Sequence, residues 1–216
     1  MKRLSQAEAV QQLSSSQLKK QLYLSQMLFL LLAIGLSLWL FPSPHQWLEL
    51  AEWNVRDIVF YGLVPGLIIV LIDFMLMRLL PEQAFDDGGL NEKLFANRSV
   101  SELFVIALVV AVSEEVLFRG VLQTELGYWT ASIIFALVHV RYLTKPVLLL
   151  SIVMISFYFG WLYEVTGNLL ATITAHFVVD FILGMLIGRA SIRKGGMKDD
   201  RGDQQGSSQA ASEHGK

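Results

Sequence analysis

The chain has no cysteine. Disulfides, thiolate metal ligands, a thiol nucleophile and a lipidated Cys are therefore excluded. Charge is also scarce. Only 17% of the 216 residues are Asp, Glu, Lys or Arg, against about 25% in an ordinary soluble domain. The shortage is central: 22–188 holds just 7 of the 17 Lys/Arg and 14 of the 19 Asp/Glu. No basic face of the kind nucleic acid needs can be drawn from so few, so a nucleic-acid partner is excluded. With 54% hydrophobic residues the chain is equally far from a disordered composition.

What is present is a series of long apolar runs, and mean hydropathy is +0.50. A hydrocarbon core about 30 Å thick is spanned by about 20 helical residues. Leu22–Phe41 meets that length and is stopped by Pro42 and Pro44; Ile58–Leu80 does so too and is stopped by Pro81. Ser101–Leu126, Tyr128–Val140, Pro146–Tyr163 and Asn168–Ile187 follow. The expected fold is an all-α polytopic membrane bundle of about six transmembrane helices, its substrate side and its solvent both shaped by the lipid bilayer. The expected organisation is an N-terminal cytoplasmic tail (1–21), two spans and a loop (22–100), a core carrying the chemistry (101–188), and a polar tail (189–216) that reads as disordered. With the N-terminus in the cytoplasm, 15 of the 17 basic residues fall on the cytoplasmic side. That bias sets both termini inside and places the protein in the cell membrane as a multi-pass chain.

Ionisable groups at membrane depth cost about 2.5 kcal/mol or more, so they face a bundle interior or a wet cavity. The set here is Glu114, Glu115, Arg119, His139, His176 and Asp180, with Asp73 nearer a span end, where it can reach headgroups beside Arg78. At about 1.5 Å per residue, Glu114, His139, His176 and Asp180 all lie roughly 12–18 Å from the cytoplasmic boundary. Three helices thus present carboxylates and imidazoles at one level. Glu115 and Arg119 are four apart and can pair; so can His176 and Asp180; Phe135 and His139 share a face likewise. A carboxylate withdrawn from bulk water suits a general base, and imidazoles with a further carboxylate can hold a water and stabilise an oxyanion. Glu102, Glu125 and Glu164 sit at helix ends and read as interfacial.

The motifs are Glu114-Glu115-Val-Leu-Phe-Arg119 (EExxxR), Phe135-Ala-Leu-Val-His139 (FxxxH) and His176-Phe-Val-Val-Asp180 (HxxxN/D). In this order on successive apolar segments, over roughly 101–188, they resemble the CPBP family of intramembrane proteases. That family includes type II CAAX prenyl endopeptidases and the bacteriocin-processing and immunity proteins of the Abi group. The resemblance implies cleavage of a membrane-associated or CAAX-like peptide by a glutamate-activated water, without a cofactor. It implies Glu114 as the base, His139 holding the water, and His176 with Asp180 at the oxyanion. Glu115, Arg119 and Phe135 would shape the site and touch substrate. Asp180 stands where the eukaryotic CAAX proteases are similar but use Asn, so it either stays protonated or orients His176. Two histidines and two carboxylates also leave zinc as an alternative, although HExxH is absent. A non-catalytic immunity or scaffold role, and a transporter with midplane charges, are the remaining readings.

Overall fold

The computed structural model describes the backbone of residues 12–142 and 144–213, with side chains through Ser191. Among these residues every regular element is helical. Helix α1 is Ser15–Leu40. It starts seven residues before the apolar run because Ser14 and Gln17 form a capping box. The Ser14 hydroxyl accepts the Gln17 N–H at 3.2 Å, and the Gln17 amide oxygen accepts the Ser14 N–H at 2.7 Å. A short helix α2 (Gln46–Leu50) follows the Pro42–Pro44 break. Helix α3 is Val55–Leu79, opened by Asn54, whose side chain accepts the Arg56 and Asp57 amides. The polar loop after Pro81 contains a one-turn helix at Glu82–Phe85 and helix α4 (Leu90–Phe95).

Helix α5 (Val100–Glu115) is opened by a second capping box, Ser99 with Glu102. It runs without a break into a π-helical segment, Val116–Gln123, and a last turn at Thr124–Leu126. Gly127 then turns the chain at φ 83°, a conformation that favours glycine. Helix α6 (Tyr128–Val138) is shorter than the expected 128–140 segment. His139 lies just outside it, at φ −82° and ψ 47°. Helix α7 is Pro146–Thr166, with Pro at its first position and Gly167 in the left-handed region after its end. Helix α8 begins at Leu169 and continues to Glu213. Its apolar part is Leu169–Ser191, and the rest passes through the polar segment read from composition as a tail.

By length and composition four helices can cross a membrane: α1, α3, α7 and the apolar part of α8. Their outward faces carry exposed Leu, Ile, Met, Phe and Trp, including Leu38, Trp39, Ile72 and Met154. In water such faces would be unfavourable, whereas against hydrocarbon they have no such cost.

Side-chain contacts fix how the helices run. At one end the Arg98 guanidinium donates to the Ser15 hydroxyl at 2.6 Å, and Lys19 pairs with Glu102 at 3.0 Å. So α1 and α5 start side by side and run parallel. Lys145 meets Asp86 at 3.4 Å, Arg141 meets Asn91 at 3.4 Å, and Ser191 donates to Glu92 at 3.1 Å at this same end. The Gly88 N–H and Lys145 hold the Asp86 carboxyl below its ordinary range. At the opposite end Gln46 donates to Glu125 at 3.4 Å and Asn168 to the Glu52 carbonyl at 2.9 Å. Ser15 and Ser191 therefore lie at one end of the bundle. Of the basic residues assigned to the cytoplasm, Lys2, Arg3 and Lys216 lie outside the described residues.

Two apolar clusters hold the bundle. One joins Ile69 and Val70 of α3 to Phe159 and Leu162 of α7 and Ala175 and Val179 of α8. The other joins Ala33 of α1, Leu117, Phe118 and Val121 of the π segment, and Phe135 of α6. Helices α3 and α8 approach most closely where Gly62 and Gly66 face Ala171 and Ala175. A Cβ at Gly62 would lie 2.8 Å from the Ala171 carbonyl oxygen, and one at Gly66 2.9 Å from that of Ala175. This small-xxx-small contact sets α8 against α3, and His176 is the residue after Ala175.

Candidate active site

The seam between the two clusters holds the ionisable residues. Glu115 is fully buried and Arg119 is 1% exposed. Arg119 Nη1 lies 3.4 Å from Glu115 Oε1, and Nη2 donates to the Ser156 carbonyl of α7 at 2.9 Å. The guanidinium sits 4.5 Å from the Phe135 ring centre and 5.9 Å from that of Phe159, a placement that favours the cation over the aromatic face. Phe135 is thereby a platform, with Arg119 on one part of it and the His139 ring 4.8 Å away.

The π segment is the local device that makes this possible. A π turn adds a residue to the helical register and leaves backbone groups for side chains to satisfy. Thr124 donates to the Arg119 carbonyl at 3.1 Å, and its hydroxyl meets the Tyr163 hydroxyl at 2.8 Å. Gln123 donates to the Gly160 carbonyl and to Glu164, both at 2.8 Å. Along with Arg119, these tie the segment to α7 at three successive levels.

His176 and His139 present the same atom to the centre. His176 Nδ1 is 2.9 Å from Glu115 Oε1. A carboxylate only accepts, so Nδ1 carries the proton and donates. His139 Nδ1 is 2.8 Å from the Phe135 carbonyl oxygen and donates for the same reason. With both Nδ1 atoms engaged, both Nε2 atoms face Glu114: His139 Nε2 is 4.0 Å and His176 Nε2 3.9 Å from Glu114 Oε2. The other oxygen, Glu114 Oε1, accepts from the Gln26 amide of α1 at 3.2 Å.

Asp180 Oδ2 lies 3.6 Å from His176 Nε2, and its side chain is 33% exposed. The carboxylate that holds the His176 ring is thus Glu115, from α5, while Asp180 stands on the more open side of the same imidazole. The seven residues singled out from the sequence all meet here. Two positions go beyond the spacing argument. His139 is reached not by continuing α6 but by ending it, with its ring folded back on the Phe135 carbonyl. The His176 ring is hydrogen-bonded by a carboxylate from another helix, Glu115, as well as approached by Asp180 four residues on. Among the described residues no group of three or more His, Asp or Glu is set out as metal ligands. Gln26 was not singled out; its signal is an amide, buried to 4% exposure, within an apolar run.

A family model described as type II CAAX prenyl endopeptidase Rce1-like matches residues 96–182. A Bacillus subtilis (strain 168) protein, uncharacterized protein YpbD, is 40% identical over 173 residues, covering 79% of this chain and 90% of its own. The chain belongs to the Rce1-like family. A Lactococcus lactis subsp. lactis (strain IL1403) relative, UPF0177 protein YxdF, is 24% identical over 146 residues, 62% of this chain and 80% of its own. No solved structure matches. The Rce1-like match contains Glu114, Glu115, Arg119, Phe135, His139, His176 and Asp180, and excludes α1 and α3. Membership in this family and four apolar helices of spanning length together indicate a membrane protein of the peptidase type.

Proposed function

We propose that this chain is an intramembrane endopeptidase that hydrolyses a peptide bond of a membrane-associated or CAAX-like substrate with a water activated by Glu114. The observation that carries the reading is the convergence of two imidazole Nε2 atoms, from different parts of the chain, on one oxygen of Glu114 at 4.0 and 3.9 Å. Such separations suit one water that donates to Glu114 Oε2 and to His139 Nε2 and accepts from the Nε2–H of a His176 imidazolium. Glu114 Oε2 takes a proton from that water, and the hydroxide oxygen attacks the scissile carbonyl carbon. The carbonyl electron pair moves to oxygen, and His176, as the imidazolium with a proton on each ring nitrogen, stabilises this oxyanion by donating its Nε2–H. As the C–N bond breaks, the proton on Glu114 passes to the leaving amine. Glu115 and Arg119 position His176 and Phe135 and touch no reacting atom. Asp180 borders the open side, where substrate enters.

The reaction so written uses no cofactor. On this reading α1, α3, α5 with its π segment, α7 and α8 traverse the membrane, and the short α6 together with residues 139–145 returns the chain from the Glu125 end to the Lys145 end, which makes six passes with both termini in the cytoplasm. The even number of passes is supported by Ser15 and Ser191 lying at one end, together with Lys19, Arg98, Arg141 and Lys145. The decisive experiment compares membrane peptides from cells carrying wild type or Glu114→Ala. A peptide accumulating uncut in the variant names the substrate. Purified wild type then cuts it, and Glu114→Gln does so at least about a hundredfold more slowly. Cleavage by Glu114→Gln at the wild-type rate overturns the reading. Activity lost to a chelator and restored by Zn²⁺ replaces the metal-free step by the zinc alternative. Site variants that keep the cellular phenotype make the bundle an immunity factor or scaffold.

A further inference from the structure

The Rce1-like match begins at residue 96, yet one polar contact to Glu114 comes from well before it. Gln26, in the middle of α1, donates its amide N–H to Glu114 Oε1 at 3.2 Å. The two residues are 88 positions apart and both are buried. Gln26 has no other polar partner that would explain its place: its own amide oxygen is buried without a hydrogen bond. A buried amide half satisfied in this way is unfavourable in packing terms, by roughly the desolvation of one acceptor. Its remaining contact is the one with Glu114.

We propose that Gln26 is a positioning residue for Glu114, assigning the two carboxylate oxygens different tasks. This rests on the reading of Glu114 as the base. A free carboxylate can turn and accept a proton on either oxygen. Here Oε1 is occupied by an N–H donor, so rotation is checked and Oε2 is held toward His139 and His176. The proton drawn from water therefore lands on Oε2, the oxygen facing the reaction. Oε1 remains an acceptor for Gln26 in both the ionised and the protonated acid, so the contact survives the whole cycle. The proton stays where the leaving amine can collect it. Helix α1, outside the family match, thus completes the site.

The test uses the full-length protein in detergent micelles with dicyclohexylcarbodiimide, which adds the O–H of a protonated buried carboxyl across its C=N bond. Modification of Glu114 is followed by peptide mass spectrometry at neutral pH. Gln26→Met keeps the length and removes the donor. Without that donor the charged form loses a stabilising hydrogen bond, so Glu114 is modified several-fold faster than in wild type. In the exchanged pair, Gln26→Glu with Glu114→Gln, the label moves to position 26. On the substrate found by the peptide comparison, Gln26→Met lowers kcat about tenfold with little change in KM, and the exchanged pair folds but does not cut. Ser37→Ala, a buried change on the same helix away from the site, alters neither labelling nor kcat. Equal labelling of Glu114 in wild type and Gln26→Met overturns the positioning role, whatever happens to stability. Cleavage by Glu114→Gln instead removes the catalytic reading and leaves the labelling result to judge the contact, so the two failures are distinct.

Discussion

Single side chains in this site work through what each has left over once its neighbour is satisfied. Each histidine has Nδ1 committed, His139 to a carbonyl and His176 to Glu115, so Nε2 is the only ring nitrogen free for chemistry. Glu114 divides its oxygens in the same way between Gln26 and the histidines. The Glu115–Arg119 pair is buried and anchors His176 on one side and Phe135 on the other. Removing one member of a buried pair leaves an uncompensated charge and costs about 3–5 kcal/mol. Arg119→Leu therefore lowers stability by about that amount, measured as unfolding in mixed micelles. The double change Glu115→Leu with Arg119→Leu recovers much of the loss. A loss for Arg119→Leu no larger than for an exposed charge shows that the pair is not the anchor. The pairing of Glu115 with Arg119 was legible from their spacing. So was the approach of Asp180 to His176; the Glu115 hydrogen bond to His176 was not, because spacing along one helix cannot show a carboxylate arriving from another.

Whole helices decide where these side chains stand. The π segment is sewn to α7 by Arg119, Gln123 and Thr124, and α8 is set by its approach to α3 at Gly62 and Gly66. A Cβ at Gly66 would come within 2.9 Å of the Ala175 carbonyl oxygen, a backbone atom that cannot step aside. Gly66→Val pushes α8 outward and destabilises the bundle by about 1–3 kcal/mol, seen as a lower thermal midpoint in detergent, and moves His176 away from Glu114. Gly35, in α1, has nothing within 4 Å of its Cβ position. Gly35→Ala raises the midpoint slightly through helix propensity. Equal effects at the two glycines would count against the close approach. Apolar length and proline stops were enough to locate most helices. The π turn and the early end of α6 escaped, because the first depends on hydrogen bonds that Arg119 and Gln123 give to another helix, α7, and the second on the His139 ring folding back on the Phe135 carbonyl.

For the whole molecule, the pattern of basic residues and the pairing of the helix ends address one question, the placement of the chain in the bilayer. The absence of native cysteine makes that placement directly measurable. A single Cys introduced at Val165, exposed in the last turn of α7 just before Gly167, reacts with a membrane-impermeant maleimide in intact cells. One introduced at Ser207 reacts only after permeabilisation. The reverse pattern inverts the orientation, and labelling of both from outside breaks the proposed even count of passes.

The sequence by itself determined that the chain is apolar and helical, that a handful of ionisable residues lie at one depth, and that their motifs are those of a protease family. These follow from composition and from the rise of a helix, which are properties of single segments. Only the tertiary structure decided which atoms meet. Counted from the start of its apolar run at Leu22, Gln26 lies about 6 Å in, well short of the site; counted from the capped start of α1 at Ser15, it lies about 16 Å in. Only then, with α1 parallel to α5, does it reach Glu114. Rise along one helix gives depth, whereas the angle around its axis and the choice of neighbour are set by packing between helices. That packing turned four residues at a common level into one carboxylate oxygen facing two imidazole nitrogens.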